Sequence, residues 1–318
     1  MSMGKSIQWY PGHMTKTRRM MQANMALVDV VIEILDARIP YSSKNPDMDE
    51  LTRNKKRLIL LNKADLADAN VTKLWEEHYR SRGFFALSLS ATEKKVAGRL
   101  TETVKSIMSE KIAREKARGR LSVNIRAMVV GIPNVGKSTL INQLSGLAGK
   151  GGAPTQTADK PGVTRGKQWI KVAKDFDLLD TPGVLWPKFE DNAVGEKLAF
   201  TGAINDTILD IVTLSHVFIE WLVKERPEAL LSRYKLDEGL FSNDLDGGPS
   251  GDLDDGPSGD LDDGPSGDFA SSEEVLAAIG VARGFKVKGG GVDLERAAIT
   301  LLDEFRAGRL GRISLERP

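Results

Sequence analysis

The segment Gly131–Ser138 reads GIPNVGKS, which fits the pattern G-x-x-x-x-G-K-S. In such a loop the glycines let backbone N–H groups wrap around phosphates, and the start of the next helix adds partial positive charge. Lys137 can reach the terminal phosphates of a nucleotide, and the Ser138 hydroxyl can ligate Mg²⁺. The loop also follows a predicted strand and opens a predicted helix, as this motif requires. Its predicted nucleotide-binding residues are Asn134, Val135, Gly136, Lys137, Ser138 and Thr139.

A second motif indicates the base, because Asn62–Asp65 reads NKAD directly after a predicted strand. The Asp65 carboxylate can accept two hydrogen bonds from the ring N–H and the exocyclic amine of guanine, whereas adenine has no matching pair of donors. The stem of Lys63 can cover the base. Taken alone, NKAD could also be an ordinary strand-to-helix turn. The predicted binding residues of this motif are Asn62, Lys63, Ala64 and Asp65.

Two further segments fit the same site. The segment SLSA resembles a backbone loop that contacts the guanine oxygen, which predicts Ser90 and Ala91 as binding residues. In the segment DTPG, Asp180 would hold Mg²⁺ through water and the Gly183 N–H would meet the γ-phosphate. Thr164 lies between the phosphate loop and DTPG, where it can close on Mg²⁺. Together the four elements predict GTP and GDP as ligands and Mg²⁺ as the cofactor.

The elements that position these motifs follow from the apolar pattern of the chain. Runs rich in branched residues alternate with helix-like stretches, which predicts an α/β doubly wound, mostly parallel sheet with ligands at the carboxyl ends of its strands. The predicted strands are Val28–Leu35, Leu58–Leu61, Phe84–Leu89 and Ala127–Val130, followed by an edge hairpin over 168–172 and 176–179. The predicted helices between them are Thr72–Ser81, Val96–Lys116 and Ser138–Ser145.

A change of pattern near residue 193 predicts a second, helical domain. From there an apolar stripe with helical periodicity runs from Ile208 to Leu222, and further helices are predicted over Ser272–Ala282 and Asp293–Gly308. The length of 318 residues suits two domains. We therefore expect a GTP-binding domain over residues 1–190 and an all-helical domain over residues 191–318.

Composition narrows the class of protein. The chain has no cysteine, which excludes disulfide scaffolds, thiol nucleophiles and thiolate zinc sites and favours a reducing cytoplasm. No apolar run approaches the roughly 20 residues that cross a bilayer, so we expect no membrane association. Residues 244–268 form an eight-residue repeat with nine Asp and no Lys or Arg, which predicts a disordered linker or long loop. The rest of the chain is moderately basic, with 45 basic and 35 acidic residues.

The order of the motifs is unusual, because NKAD and SLSA precede the phosphate loop instead of following DTPG. In this order the chain resembles the YlqF-type circularly permuted GTPases. The resemblance includes IQWYPGHM at residues 7–14, DARIP at residues 36–40, the stretch 180–192 and the C-terminal segment 306–317. It covers nearly the whole chain except the acidic repeat.

The resemblance implies a GTP hydrolase that assists late assembly of the large ribosomal subunit. Its helical C-terminal domain is expected to contact ribosomal RNA, with the subunit precursor as partner and a monomer as the free state. The basic stretch Lys94–Arg126 could contribute RNA contacts, although such a run is also typical of a solvated helix face. The alternatives are an RNA-modification or other regulatory GTPase that does not act on ribosomes, and an RNA-binding module that uses nucleotide structurally.

Catalysis requires a group that orients the attacking water. Val184 follows DTPG, at a position where Ras-like enzymes carry glutamine, so slow hydrolysis by the free protein is expected, with stimulation by the ribosomal particle. By resemblance His13 could orient the water, but it could equally pack locally or bind RNA. Asn134 resembles an asparagine that binds an activating K⁺, although it could also simply form the turn. The predicted catalytic residues are His13, Lys137, Thr164 and Gly183.

Overall fold

The structure is a computed structural model that describes residues 19–145, 169–181, 191–241 and 270–318. The chain divides into two compact units. Of the described residues, those from 19 to 205 together with 312–318 form one, called here the sheet unit, and those from 206 to 311 form the other, called the helical unit. The division thus falls after Asn205, beyond the boundary expected at residue 190, and the last seven residues group with the sheet. The acidic repeat at 244–268 lies outside the described residues.

Six strands form one sheet in the order β3-β2-β1-β4-β6-β5. All neighbouring strands are parallel except β5 and β6, which pair antiparallel at one edge. The mostly parallel sheet and its edge hairpin confirm the predicted fold class. The strands are β1 (Val30–Asp36), β2 (Lys56–Asn62), β3 (Phe85–Ser88), β4 (Ile125–Gly131), β5 (Trp169–Ala173) and β6 (Phe176–Asp180).

The helices of the sheet unit follow the strands as in a doubly wound fold. The predicted single helix over Val96–Lys116 is wrong, because Met108 has a ψ of 10° and separates two helices at that point. The helices are α1 (Asp47–Leu51), α2 (Ala69–Ser81), α3 (Val96–Ile107), α4 (Ser109–Ala117), α5 (Lys137–Ser145) and α6 (Asn192–Phe200). Residues 19–25 are helical as well.

The core of the sheet unit lies against both faces of the sheet, and every residue of β1 is buried. On one face, Leu35 and Leu61 pack against Trp75 of α2. Further along the same face, Val31 and Met128 belong to a second apolar cluster. Such full burial of a central strand is typical of parallel sheets with helices on both sides, and it fixes where the strands end.

The helical unit has its own core, in which the Phe218 and Phe305 rings lie 4.8 Å apart. Its helices are α7 (Ile211–Glu225), α8 (Pro227–Tyr234), α9 (Ser272–Ala282) and α10 (Leu294–Arg306). The apolar stripe was predicted to begin at Ile208, but Ile208 is 58% exposed. It lies before α7, because the Asp210 side chain accepts hydrogen bonds from Val212 and Thr213 and begins the helix there. Within the described ranges, no helix combines the length and apolar character that crossing a membrane requires.

Candidate nucleotide-binding site

The predicted motifs converge at one edge of the sheet. Parallel strands β2, β1, β4 and β6 are neighbours, so their carboxyl ends lie along the same edge. The residues at these ends are Asn62, Asp36, Gly131 and Asp180. This edge is where doubly wound folds bind their ligands. The fold therefore brings NKAD, the phosphate loop and the start of DTPG together although they are far apart in sequence.

The phosphate loop leaves β4 at Gly131 and enters α5 at Lys137. A Cβ atom at Gly131 would lie 2.8 Å from the Ile34 carbonyl oxygen, so the close approach of β1 requires glycine. Gly136 has a φ of +90°, and a Cβ atom there would lie 2.2 Å from Nδ2 of Asn62. Both glycines of the motif are thus required by the backbone, as the sequence pattern predicts.

Asn62 is the junction between the base and phosphate segments. Its Nδ2 donates to the Val135 carbonyl at 2.6 Å, and its Oδ1 accepts a hydrogen bond from the Ala91 N–H at 2.8 Å. The side chain is almost fully buried. Losing a partner of a buried polar group leaves that group unsatisfied at a cost of about 1–3 kcal/mol. Asn62 therefore fixes the NKAD, phosphate and SLSA segments relative to one another.

Lys63 is held beside this junction in a left-handed backbone conformation, with a φ of 59°. Its Nζ lies 3.0 Å from Oδ2 of Asp36. Asp36 also accepts hydrogen bonds from Nε and Nη2 of Arg38, at 2.9 and 2.8 Å. Burial opposes ionisation of Asp36, but the charges of Arg38 and Lys63 outweigh burial and hold its pKa well below the usual range. A stable anion thus directs the Lys63 side chain.

The Asp65 carboxylate, which is predicted to recognise guanine, is open to a ligand. Asp65 is exposed, whereas the backbone around it is anchored because the Ala64 N–H donates to the Leu89 carbonyl at 3.2 Å. Ser90 and Ala91 are buried next to it, and the Ser90 N–H donates to Glu93 at 3.0 Å. An exposed carboxylate on a fixed loop suits recognition of a base edge by hydrogen bonds.

On the phosphate side, Lys137 contacts the beginning of DTPG. Its Nζ donates to Oδ1 of Asp180 at 2.8 Å and also to the Thr181 carbonyl. The Thr181 hydroxyl donates to the Val129 carbonyl at 2.6 Å, which attaches this segment to β4. Ser138 is partly buried and Thr139 exposed in the first turn of α5. A lysine, a helix N-terminus and a carboxylate therefore lie together at the position predicted for the phosphates.

The geometry agrees with what the chain is similar to. A family model described as "50S ribosome-binding GTPase" matches residues 126–234. "Ribosome biogenesis GTPase A" of Priestia megaterium is 42% identical over 314 residues, which are 98% of this chain and 97% of that protein. The Bacillus cereus protein of the same name is 42% identical over 312 residues, with 98% and 94% covered.

A solved structure supports the same assignment. GNP-bound YlqF from T. maritima is 25% identical, with a TM-score of 0.59 over 95% of this chain and 98% of that one. This chain belongs to the YlqF-type circularly permuted GTPases. It is accordingly a GTP hydrolase, and the permuted order of its motifs is the order of the family. The resemblance found in the motifs is confirmed.

Three predicted residues of this YlqF-type GTPase, His13, Thr164 and Gly183, lie outside the described residues, and their roles stay predictions. Asn134 has a φ of 59°, and its Nδ2 donates to the Gly202 carbonyl. That conformation suits a turn-forming asparagine. Within the described part of the chain, no group of three or more His, Asp or Glu side chains could hold a metal ion. The described oxygen donors at the phosphate position are Ser138 and Asp180.

Asp36 and Arg38, which were not among the predicted site residues, lie beside Lys63. Their position in the sequence was the available signal, because the DARIP segment begins where β1 ends, at the same edge as the nucleotide motifs. Arg312 was not a predicted site residue either. It donates hydrogen bonds to the carbonyls of Ala64, within NKAD, and of Ala67, just after it.

Proposed function

We propose that this GTPase binds a precursor of the large ribosomal subunit in its GTP form during late assembly, and that hydrolysis releases it. The observation that carries the nucleotide part is the Asn62 junction, which joins the guanine-specificity loop to the phosphate loop. The ribosomal part is supported by relatives named for ribosome biogenesis that align with nearly the whole chain. The cytoplasm is the proposed location, and the free protein is proposed to be a monomer.

In the proposed complex with GTP, Asp65 accepts hydrogen bonds from the guanine ring N–H and amine. The Ala91 segment faces the guanine oxygen, and the stem of Lys63 covers the base. Lys137 turns from Asp180 and the Thr181 carbonyl toward the terminal phosphates, which offer stronger anionic acceptors. The first turn of α5 adds N–H groups and a positive dipole end. These groups bind, orient and stabilise the charge of the phosphate chain.

Mg²⁺ fits the residues present, because Ser138 and Asp180 supply oxygen donors, the type this ion prefers. Sites of this kind use one or two protein ligands plus substrate phosphates, which agrees with the lack of a larger acidic cluster among the described residues. When bound, the ion neutralises charge that develops on the phosphate oxygens. Ser138 would hold it directly and Asp180 through water, and we assign Thr164 to the same ion.

Hydrolysis needs a positioned water, and Val184 carries no group that could orient one. We assign this role to His13, whose imidazole can accept a hydrogen bond from the water. We assign the Gly183 N–H to the γ-phosphate. K⁺ near Asn134 is a second source of positive charge that could operate together with His13. With His13 and Gly183 in these roles, the reaction depends on the ribosomal particle to order both residues around the water and the γ-phosphate.

The RNA contact is assigned to basic surfaces, including the helical C-terminal region. In the stretch Lys94–Arg126, several basic residues are engaged in ion pairs, as Lys105 is with Asp175 and Lys111 with Asp29. Arg114 and Lys116 on α4 are exposed. Contacts from such residues to phosphates release counterions, so binding to the particle should weaken steeply with salt.

Sedimentation tests the proposal directly. Purified protein is mixed with precursor or mature large subunits, or with small subunits, in a non-hydrolysable GTP analogue or in GDP. We expect co-sedimentation with large-subunit particles in the analogue and release in GDP. Equal pelleting in both nucleotides would refute the release step, and equal pelleting with small subunits would favour a regulatory GTPase that does not act on this particle.

Single-turnover hydrolysis with saturating large subunits tests the catalytic assignment. His13→Ala should keep its GTP affinity but lose about ten- to a thousandfold in stimulated rate, equivalent to about 1.4–4 kcal/mol of barrier. Replacing K⁺ by Na⁺ measures the contribution of the cation separately. A stimulated rate of His13→Ala equal to that of the parent would show that His13 does not act in catalysis.

A further inference from the structure

The last seven residues of the chain hold the loop that carries Asp65. Nη2 of Arg312 donates to the Ala64 carbonyl at 2.8 Å, and its Nε donates to the Ala67 carbonyl at 2.9 Å. The Ile313 N–H donates to the Leu66 carbonyl at 3.0 Å. One planar guanidinium therefore bridges the residues on the two sides of Asp65, and the neighbouring backbone binds between them.

The same segment also reaches the network that directs Lys63. The Leu315 N–H donates to the Arg38 carbonyl at 2.9 Å, and the Arg38 side chain binds Asp36. Asp36 in turn pairs with Lys63. Residues 312–315 therefore hold backbone next to both NKAD side chains that are predicted to contact the base, Lys63 and Asp65.

Anchors further along keep the segment in place without Arg312. The carboxylate of Glu316 accepts hydrogen bonds from the Tyr41 N–H at 2.8 Å and the Ser42 N–H at 3.2 Å. The indole N–H of Trp75 donates to the Glu316 carbonyl at 3.2 Å. Ile313 and Leu315 are buried. The guanidinium of Arg312 is therefore a local clamp on an anchored segment, and its loss should leave the segment bound.

We propose that Arg312 is a positioning residue for guanine recognition: by bridging the Ala64 and Ala67 carbonyls it fixes the placement of the Asp65 carboxylate. The inference rests on the proposed role of Asp65 in base binding. Without the bridge, the loop between the two carbonyls samples other backbone positions, and the paired hydrogen bonds to guanine lose their alignment. The phosphate contacts are unaffected, because they come from the far side of the Asn62 junction.

The test compares Arg312→Ala with Arg312→Lys and with Arg317→Ala, since Arg317 is an exposed arginine of the same segment. KM and kcat are measured for GTP and for ITP, which lacks the exocyclic amine, together with the melting temperature. For Arg312→Ala we expect KM for GTP to rise about three- to tenfold at an unchanged kcat, as for the loss of one or two hydrogen bonds. The preference for GTP over ITP should fall. Arg312→Lys should lie in between, because an ammonium lacks the fork geometry.

Asp65→Asn in the same assay separates this inference from the base assignment. If Asp65→Asn loses the preference for GTP over ITP while Arg312→Ala keeps the values of Arg317→Ala, the inference is wrong and the base assignment holds. If Asp65→Asn keeps the preference, both are wrong. Equal losses for GTP and ITP in Arg312→Ala, with a lower melting temperature, would show a purely structural role and overturn the inference.

Discussion

Each compact unit contains a buried carboxylate held by arginine, but the partners differ. In the sheet unit, Asp36 binds Arg38 and Lys63, and Lys63 belongs to the NKAD motif. In the helical unit, Glu304 of α10 binds Arg233 of α8 and Arg283 beside α9. One carboxylate holds a side chain that is predicted to contact the nucleotide base, and the other joins three helices. A strongly perturbed carboxylate therefore indicates a functional site only when its partners carry ligand-binding groups.

Their electrostatics are otherwise alike. Burial opposes ionisation of Glu304, yet the hydrogen bonds from Arg233 and Arg283 and their positive charges outweigh burial and lower its pKa to about 2. Asp36 shows the same balance, with an even lower pKa. The pKa values of both carboxylates are lowered, and in both cases by basic partners. The two sites therefore differ in which residues each carboxylate holds in place. Substitutions can separate the effect on stability from the effect on nucleotide affinity.

The largest effect is expected for Asp36→Asn. It removes the negative charge beside the guanidinium of Arg38, which is only 1% exposed, and breaking such a buried pair costs about 3–5 kcal/mol. Lys63 also loses its ion pair with Asp36, so GTP affinity should fall together with the free energy of unfolding. Chemical denaturation and nucleotide titration measure the two. Unchanged GTP affinity in the folded fraction would show that Asp36, like Glu304, contributes only to stability.

Gly136→Ala should act on the ligand. Its added Cβ would overlap Nδ2 of Asn62, and a φ of +90° is strained for alanine, so we expect GTP binding to weaken at least about a hundredfold, or about 2.7 kcal/mol. Gly98→Ala is the matched control, because it lies within α3 and nothing stands within 4 Å of the added atom. Alanine there should stabilise the helix slightly. Equal GTP affinities of the two variants would contradict the close approach at Asn62.

Glu304→Gln should lower the free energy of unfolding by about 2 kcal/mol, because two arginines lose their charged acceptor. GTP affinity should stay within about twofold, since none of its described partners belongs to the predicted nucleotide site. Glu220→Gln, on the exposed side of α7, is the control and should change neither quantity measurably. Weaker GTP binding by Glu304→Gln would show that Glu304 also contributes to nucleotide binding, contrary to the difference described between the two carboxylates.

The smallest effect is expected on the free energy of unfolding in mildly acidic solution. A carboxylate with a lowered folded-state pKa stabilises the fold above its unfolded value and loses that contribution as pH falls toward the folded value. For Glu304 the window runs from about 4.5 down to about 2. Between pH 7 and pH 4 the loss should be about 1 kcal/mol or less. Glu304→Gln should flatten this part of the stability profile, and an unchanged profile would assign the acid sensitivity to other groups.

Sequence reasoning works best where one physical signal dominates. The strands β1 to β4 lie within two residues of their predicted starts and ends because branched apolar runs bounded by turn residues allow few alternatives. The phosphate loop is equally well specified, since its glycines meet steric demands that other residues cannot. The family was predicted from the order of the nucleotide motifs together with IQWYPGHM at residues 7–14, DARIP at residues 36–40 and the segments 180–192 and 306–317.

Contacts between distant residues could not be predicted in this way. Nothing in the type of Asn62 indicates that it binds Val135 and Ala91, because asparagine is equally common in turns. Arg312 meets Ala64 across 248 positions, and backbone carbonyls carry no sequence signal. The break at Met108 has no counterpart in the helical periodicity of the sequence, so that periodicity predicted one helix where the structure has two.

The connection over residues 118–124, which is exposed except at Val123, has a further consequence. It links α4 to β4, so a cut there severs no strand or helix and separates the base-recognising segments from the phosphate loop. The two fragments would each contribute adjacent strands, β1 and β4, to one sheet, and each would hold half of the contacts to a guanine nucleotide. Reassembly of such a split protein would be driven by the ligand through mass action, which makes the chain a template for a two-part GTP sensor.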